Sequence, residues 1–324
     1  MSQKYFFIVN RCGGKGRTIH IWKQLEALLK KKNISYEVFF TEYESHAEVL
    51  AAELTSKNKE IKLIIVGGDG TINGVLNGIK DFNTAKIGII PSGSGNDIAR
   101  ELKIPIHNRK KALNLILNSQ GNFITDAGQI EITKTENDAQ KTFTRIFAIS
   151  AGIGLDAIAC LKNVSSKIKF LFNKIHLGSL SYIANAVQYF THLPEQTFSI
   201  QFEDTDSNSA ESKNQISISK TILISLMNYK AEGGGLKMAP WANHSDGKIS
   251  LVAAYDIPFY KIPAKLTTLL LGRHNKAKNF YTKDTSFVTI SSTKNFILHT
   301  DGECFTEVSK VTCKVLPQII HFLR

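Results

Sequence analysis

The feature that most constrains this chain is a rhythm in its first third, where apolar runs end in glycine-rich loops and helix-like segments follow. Tyr5–Asn10 leads into Gly13-Gly14-Lys15-Gly16. Beyond it Ile21, Trp22, Leu25, Leu28 and Leu29 recur at helical spacing, with lysines on the other side. Residues 36–40 read as a strand and 46–54 as a helix. Residues 62–66 read as a buried strand, punctuated by Gly67, Gly68 and Gly70 before a helix restarts at Ile72. Residues 86–90 repeat the pattern, with a loop over 91–95 and a helix start at Asp97. Alternation of this kind predicts a Rossmann-like parallel sheet with helices on its faces.

After about residue 123 the rhythm changes. Strand-like runs occupy 123–132, 142–149, 197–202, 215–227, 247–254, 286–290 and 295–299, several of them separated by polar loops. That pattern predicts a mainly antiparallel β-sandwich, with helical insertions near 155–161 and 178–193. For 324 residues two domains are expected. The boundaries fall at 1–125 and 126–314, and a last stretch, about 315–324, is free to return to the first domain.

Charge narrows the partners. The net charge is +12 and the pI about 9.4, which favours nucleic acid, a phosphorylated small molecule or an anionic membrane. No RNP-like or helix-turn-helix signature supports nucleic acid. Four scattered cysteines, with no CxxC, argue against a zinc site or a disulfide framework and for a reducing compartment. Phe6-Phe7-Ile8-Val9 is too short an apolar run for a signal peptide. The most apolar long stretch, 170–193, is broken by Lys174, His176, Asn185 and Gln188 and is not expected to span a bilayer. A soluble, cytoplasmic protein is the expectation.

Three loops, at 11–18, 67–71 and 91–96, follow strands of the predicted parallel sheet. Such a loop can turn successive backbone N–H groups toward a phosphate, and the next helix adds its N-terminal partial charge. Lys15 and Arg17 beside the first loop suit a polyphosphate. No GxxxxGK[ST], HRD or DFG string is present, so neither a P-loop NTPase nor a protein kinase is indicated. Asp69, set among glycines, either caps the following helix or serves a metal or a proton transfer.

Gly67-Gly68-Asp69-Gly70-Thr71, with Ile72-Asn73-Gly74 after it, resembles the signature of the diacylglycerol kinase catalytic-domain family. That family groups bacterial diacylglycerol kinases with sphingosine and ceramide kinases and is distantly related to NAD kinases. The run from Pro91 to Arg100, with Gly95-Asn96-Asp97, resembles its second nucleotide motif. Further matches follow in family order: Asp126-Ala127-Gly128, Gly154-Leu155-Asp156-Ala157, Gly233-Gly234-Gly235, Asp246-Gly247 and Asp301-Gly302-Glu303. Three departures stand out. Arg11-Cys12 replaces the usual Pro-x of the first motif, Gly74 replaces a frequent glutamate, and Ile249-Ser250 replaces Leu-Asp.

The resemblance implies an ATP- and Mg²⁺-dependent kinase that phosphorylates the hydroxyl of a membrane lipid such as diacylglycerol. It also implies a nucleotide-binding first domain, a lipid-substrate second domain and reversible membrane association, and it is compatible with a homodimer. Asn10, Gly14, Lys15, Gly67, Gly68, Gly70, Thr71, Ser92, Gly95 and Asn96 would hold ATP. Glu303, Asp69 and Asp126 are the implied catalytic carboxylates, with Glu303 the candidate base and Asp69 its rival. Asp69, Asp246 and Asp301 are the implied metal ligands, and Asp156 joins the supporting acidic set. Asp301-Gly302 is equally an ordinary hairpin turn. All nine histidines are read as surface or core residues. An apolar stretch at 170–190, flanked by lysines, is either a packed helix or a lipid-entry surface. A kinase for a soluble acceptor and an inactive nucleotide-binding regulator are the alternatives.

Overall fold

The strand β3 (Ile61–Gly67) is buried along its whole length, as a strand covered on both faces must be. It lies in the first of two units, formed by Met1–Asp126 and Gln318–Arg324. The computed structural model describes residues 4–11, 16–136, 139–161, 195–203 and 214–324. The first unit also contains β1 (Tyr5–Asn10), α1 (Arg17–Lys31), β2 (Tyr36–Thr41), α2 (His46–Lys57) and α3 (Asp69–Gly78). β4 (Ala85–Pro91), α4 (Asp97–Glu101) and α5 (Arg109–Asn118) complete its main part.

All its strand pairs are parallel, in the order β4-β3-β1-β2. The chain leaves β1 for β2 on one side and returns to β3 on the other. The order therefore reverses between β1 and β3, which opens a crevice at their carboxyl ends where ligands bind in sheets of this kind. Asn10 and Gly67 end those two strands. The helix α3 starts at Asp69 rather than Ile72, because Gly68 O accepts N–H bonds from Thr71 and Ile72 at 3.0 and 3.1 Å. The helix α5 was not anticipated, although Asn108 caps it by accepting the Lys111 N–H and Ala112, Leu113 and Ile116 are buried.

The second unit, Ala127–Pro317, is antiparallel throughout. Its elements, of which β5 begins and β14 ends in the first unit, are β5 (Phe123–Glu136), β6 (Ala139–Phe147), β7 (Ser150–Gly154) and α6 (Leu155–Leu161). There follow β8 (Phe198–Phe202), β9 (Asn214–Ile218), β10 (Thr221–Met227), β11 (Ile249–Tyr255) and α7 (Ile262–Leu270). The last are β12 (Phe280–Thr285), β13 (Phe287–Thr300) and β14 (Glu303–Phe322). The main path is β12-β11-β10-β7-β13-β14, with the β8–β9 hairpin on β13 and the β5–β6 hairpin on β14. Alternating residues build the sandwich core, as where Phe198, Ile200 and Phe202 meet Val288, Ile290 and Phe296.

Several expected strands have different limits. The run 215–227 is two strands, β9 and β10, parted at Lys220, which takes a left-handed φ of 50°. The runs 286–290 and 295–299 instead belong to one long strand, Phe287–Thr300, whose register shifts between Ser291 and Leu298. The run 142–149 ends at Phe147, and β7 begins separately at Ser150. The expected helix near 178–193, the apolar stretch 170–190 and the first-loop residues Gly14 and Lys15 lie outside the described residues. At its far end β14 pairs with β4 in parallel, His321 with Lys86 and Phe322 with Ile87.

Candidate active site

At the crevice between β1 and β3 the loops lock together through short side chains. Asn10 Nδ2 donates to Thr71 Oγ1 at 2.8 Å, and Thr18 Oγ1 donates to Ser92 Oγ at 3.1 Å. The Ser92 N–H donates to Gly67 O at 2.9 Å. Glycine is required because the two loops touch backbone to backbone. A Cβ on Gly68 would lie 2.9 Å from Gly93 Cα, and one on Gly93 only 2.6 Å from Gly68 Cα. A Cβ on Gly67 would meet Thr71 at 2.6 Å, and one on Gly95 would meet Asp69 Oδ2 at 2.9 Å. Gly70 differs, since a Cβ there would find no atom within 4 Å.

Asn96 and Asp69 carry visible duties inside this assembly. Asn96, at a left-handed φ of 53°, accepts the Gly93 N–H at 3.0 Å and donates back to Gly93 O at 2.8 Å. Both ends of its amide therefore help to close the loop. Asp69 Oδ1 accepts the Ile98 N–H at 3.3 Å at the start of α4. Burial pushes its pKa up, and the amides of Asp97, Ile98 and Asn96 together with Arg100 only partly pull it back. Arg100 also pairs with Asp97 and donates to Gly95 O at 2.9 Å.

Asp126, expected among the catalytic carboxylates, has no exposed surface and accepts the Gln318 N–H at 2.8 Å. It anchors the end of β14.

In the second unit the turn between β13 and β14 has positive φ at both central residues, 48° at Asp301 and 94° at Gly302. This is the primed turn that Asp-Gly favours, because its twist matches the flanking strands. Asp301 uses both carboxylate oxygens on backbone N–H groups, those of Ala148, Ile149 and Ser150 at 2.7, 2.8 and 3.0 Å. That latch divides β6 from β7. Asp246 is exposed and accepts the Lys248 N–H at 3.0 Å within its own turn. The implied metal ligands Asp69, Asp246 and Asp301 each accept backbone N–H groups. Glu303, the first residue of β14, keeps about a third of its side chain exposed. Arg145 on β6 grips its Oε2 with Nε at 3.0 Å and Nη2 at 2.6 Å.

In a second group, sequence reasoning had named Asp156 but missed its partners Glu232 and His299. Asp156 on α6, Glu232 and His299 on β13 bring ligand-type atoms within 4.8 Å of one another. His299 Nε2 lies 3.0 Å from Asp156 Oδ2, which also accepts from Ser225 Oγ at 2.8 Å. Ser150 donates to Glu232 Oε2. Room for the cluster comes from Gly152, where a Cβ would fall 2.1 Å from Asp156 Oδ2 and 2.4 Å from His299 Nε2. Burial and the Asp156 charge push Glu232 up to about 8, with His299 opposing. Burial alone would lower His299, but Asp156 raises it to about 9. Burial alone would raise Asp156, yet His299 and the hydrogen bonds hold it below its ordinary value. The available signal was Glu232 itself, an acid set directly before three glycines.

The two units correspond to two known domains. The diacylglycerol kinase catalytic domain matches residues 4–130, and the YegS C-terminal NAD kinase beta sandwich-like domain matches 150–324. The chain belongs to the diacylglycerol kinase catalytic-domain family. It is 28% identical to a Bacillus subtilis protein named "Putative lipid kinase YtlR" over 312 residues, 92% of this chain and 93% of that one. It is 28% identical to a Bacillus subtilis diacylglycerol kinase, covering 89% of this chain and 86% of the other. The fold matches a crystal structure of a Bacillus anthracis diacylglycerol kinase with a TM-score of 0.66 at 17% identity, over 99% and 96% of the two chains.

Proposed function

We propose that this protein is a lipid kinase that transfers the γ-phosphoryl group of ATP to the hydroxyl of a membrane lipid such as diacylglycerol. The observation that carries this reading is the locked pair of glycine loops at the crevice where the strand order reverses. Asn10, Gly67–Thr71 and Ser92–Gly95 would hold the nucleotide there, with Lys15 neutralising phosphate charge. Gly70 offers the open approach that a phosphate needs. The lipid class is supported by family membership and by the names of the relatives.

Phosphoryl transfer depends more on positioning and charge stabilisation than on covalent chemistry. Glu303 would accept the proton of the attacking hydroxyl, and Arg145 fixes its carboxylate in one orientation. Asp69 is the weaker candidate base, since its carboxylate is buried against the start of α4. Magnesium would arrive with the nucleotide as part of the substrate. The Asp156–Glu232–His299 cluster does not fit that ion. One donor is an imidazole already engaged with Asp156, whereas Mg²⁺ prefers oxygens and keeps several waters. No step is assigned to the cluster.

The test is to incubate the protein with labelled ATP, Mg²⁺ and a total lipid extract, then identify the labelled product. A phosphorylated lipid supports the proposal and names the acceptor. Label appearing only in a water-soluble acceptor, or in nothing while ATP binds, would replace it with a soluble-acceptor kinase or an inactive nucleotide binder.

A further inference from the structure

The second unit carries an exposed surface that its own packing does not explain. Among the described residues the large exposed apolar side chains are Tyr43, Val49, Leu161, Phe259, Tyr260 and Leu271. Three of these six lie on one short segment, Phe259 and Tyr260 in the 3₁₀ turn before the helix α7 and Leu271 just past its end. Single exposed apolar residues need no explanation, but a cluster marks an interaction surface. The helix is anchored by Ile262 and Leu269, which are buried. Beside that anchored face Phe259 is 57% exposed, Tyr260 76% and Leu271 58%.

Between Asp256 and Asp284 the charges along this segment have one sign. From residue 257 to residue 283 the sequence holds six Lys or Arg and no Asp or Glu. Lys261, Arg273, Lys276 and Lys278 are exposed, and Lys261 Nζ sits 5.5 Å from the Tyr260 ring centroid. Aromatic side chains with cations beside them fit the boundary of a bilayer, where rings enter the headgroup layer and cations meet anionic lipid.

We propose that the surface formed by Phe259, Tyr260, Leu271 and these four cations docks the protein on an anionic membrane. The choice of a bilayer rests on this charge complementarity and on the lipid-kinase reading above. Phe259, Tyr260 and Leu271 enter the headgroup region, while Lys261, Arg273, Lys276 and Lys278 bind headgroup phosphates. No helix among the described residues is long and apolar enough to cross a membrane.

Two full-length variants test the surface, F259S/Y260S and K261Q/R273Q/K276Q/K278Q. All six side chains are exposed, so thermal unfolding should match wild type and serves as the folding control. Binding is read by co-sedimentation with vesicles of equal phosphatidylglycerol and phosphatidylcholine, and with phosphatidylcholine alone, without nucleotide. Wild type should prefer the anionic vesicles. Each cation removed should weaken binding roughly fivefold, so the charge variant should lose at least about a hundredfold. The aromatic variant should lose about tenfold or more on the same vesicles. Wild-type sedimentation by both folded variants would overturn the proposal. So would a wild-type dimer that F259S/Y260S converts to monomer with vesicle binding unchanged, since the occupant would then be a second copy. Kinase activity on lipid in detergent micelles keeps the two readings apart. Variants impaired on vesicles but normal in micelles support docking, whereas vesicle docking without phosphoryl transfer refutes only the kinase.

Discussion

Glu303 is gripped by a guanidinium on one oxygen while part of its surface stays open, an arrangement that orients a carboxylate without burying it. If it takes the acceptor proton, Glu303→Gln should lower kcat by roughly 10² to 10⁴ while ATP affinity and Tm barely change. Steady-state kinetics with nucleotide titration checks this, and near-normal turnover would pass the base role to Asp69. Glu232 calls for a different measurement. Its folded pKa of about 8 lies above the ordinary 4.5, so the folded state binds the proton more tightly. The stability it contributes is full below pH 4.5 and is lost as pH rises through 8. His299, raised to about 9 from 6.5, acts in the same direction between those values, whereas Asp156, lowered from 3.8, loses stability only in acid. Wild-type Tm should therefore fall from pH 6 to 9, and Glu232→Gln should flatten part of that fall. Parallel pH profiles for the two proteins would show that Glu232 does not titrate in this range. The Asp301–Glu303 turn could be read from sequence because Asp-Gly states its own geometry. The Glu232–His299 pairing could not, because each residue is buried among partners distant along the chain.

At the scale of elements, the glycines of the two nucleotide-type loops are needed first by each other. Gly93→Ala would drive a Cβ into the Gly68 backbone, which cannot rotate away as a flexible side chain would. Calorimetry should show ATP affinity reduced by tenfold or more, with a lowered Tm. Gly70→Ala, which meets no protein atom, should leave Tm within about a degree or two of wild type. Equal Tm losses in the two variants would mean that loop contact is not what selects these glycines. The parallel strands were legible because each carries a short, mostly apolar run, ended in β3 and β4 by glycine and proline. β12 was not, because its sequence, Phe-Tyr-Thr-Lys-Asp-Thr, belongs to a half-exposed strand at the end of the sheet path with little apolar pattern. The helix α7 escaped for a related reason, since its anchors Ile262 and Leu269 are surrounded by apolar residues that stay partly outside. Where burial and hydrophobicity part company, periodicity loses its signal.

For the whole molecule, the first unit is assembled from both ends of the described chain. Ile320, Phe322 and Leu323 are fully buried there, and the backbone pairs with β4. At about 1.5–3 kcal/mol for each of these three buried side chains, deleting residues 318–324 would remove roughly 4.5–9 kcal/mol, a large share of a typical domain's stability. Circular dichroism should show the truncated protein losing much of its helical signal by 37 °C, since α1 to α5 all belong to that unit. A truncated protein with wild-type melting would mean the tail merely covers an edge. Asp126 reaches the same segment through the Gln318 N–H, so unit boundary and tail are tied at one carboxylate.

That tie has a consequence for how the protein is made. Once β4 has left the ribosome, the whole of Ala127–Pro317 must be synthesised before the strand that pairs with it exists. At 5–20 residues per second those 191 residues take about 10–40 s. Throughout that interval β4, with Ile87, Ile89 and Ile90, presents an unpaired edge to every other nascent chain nearby. Yield in a cell should then depend on what shields that edge during translation as much as on the stability of the finished fold. Slowing elongation through the second unit would lengthen the exposure and divert more chains into aggregates.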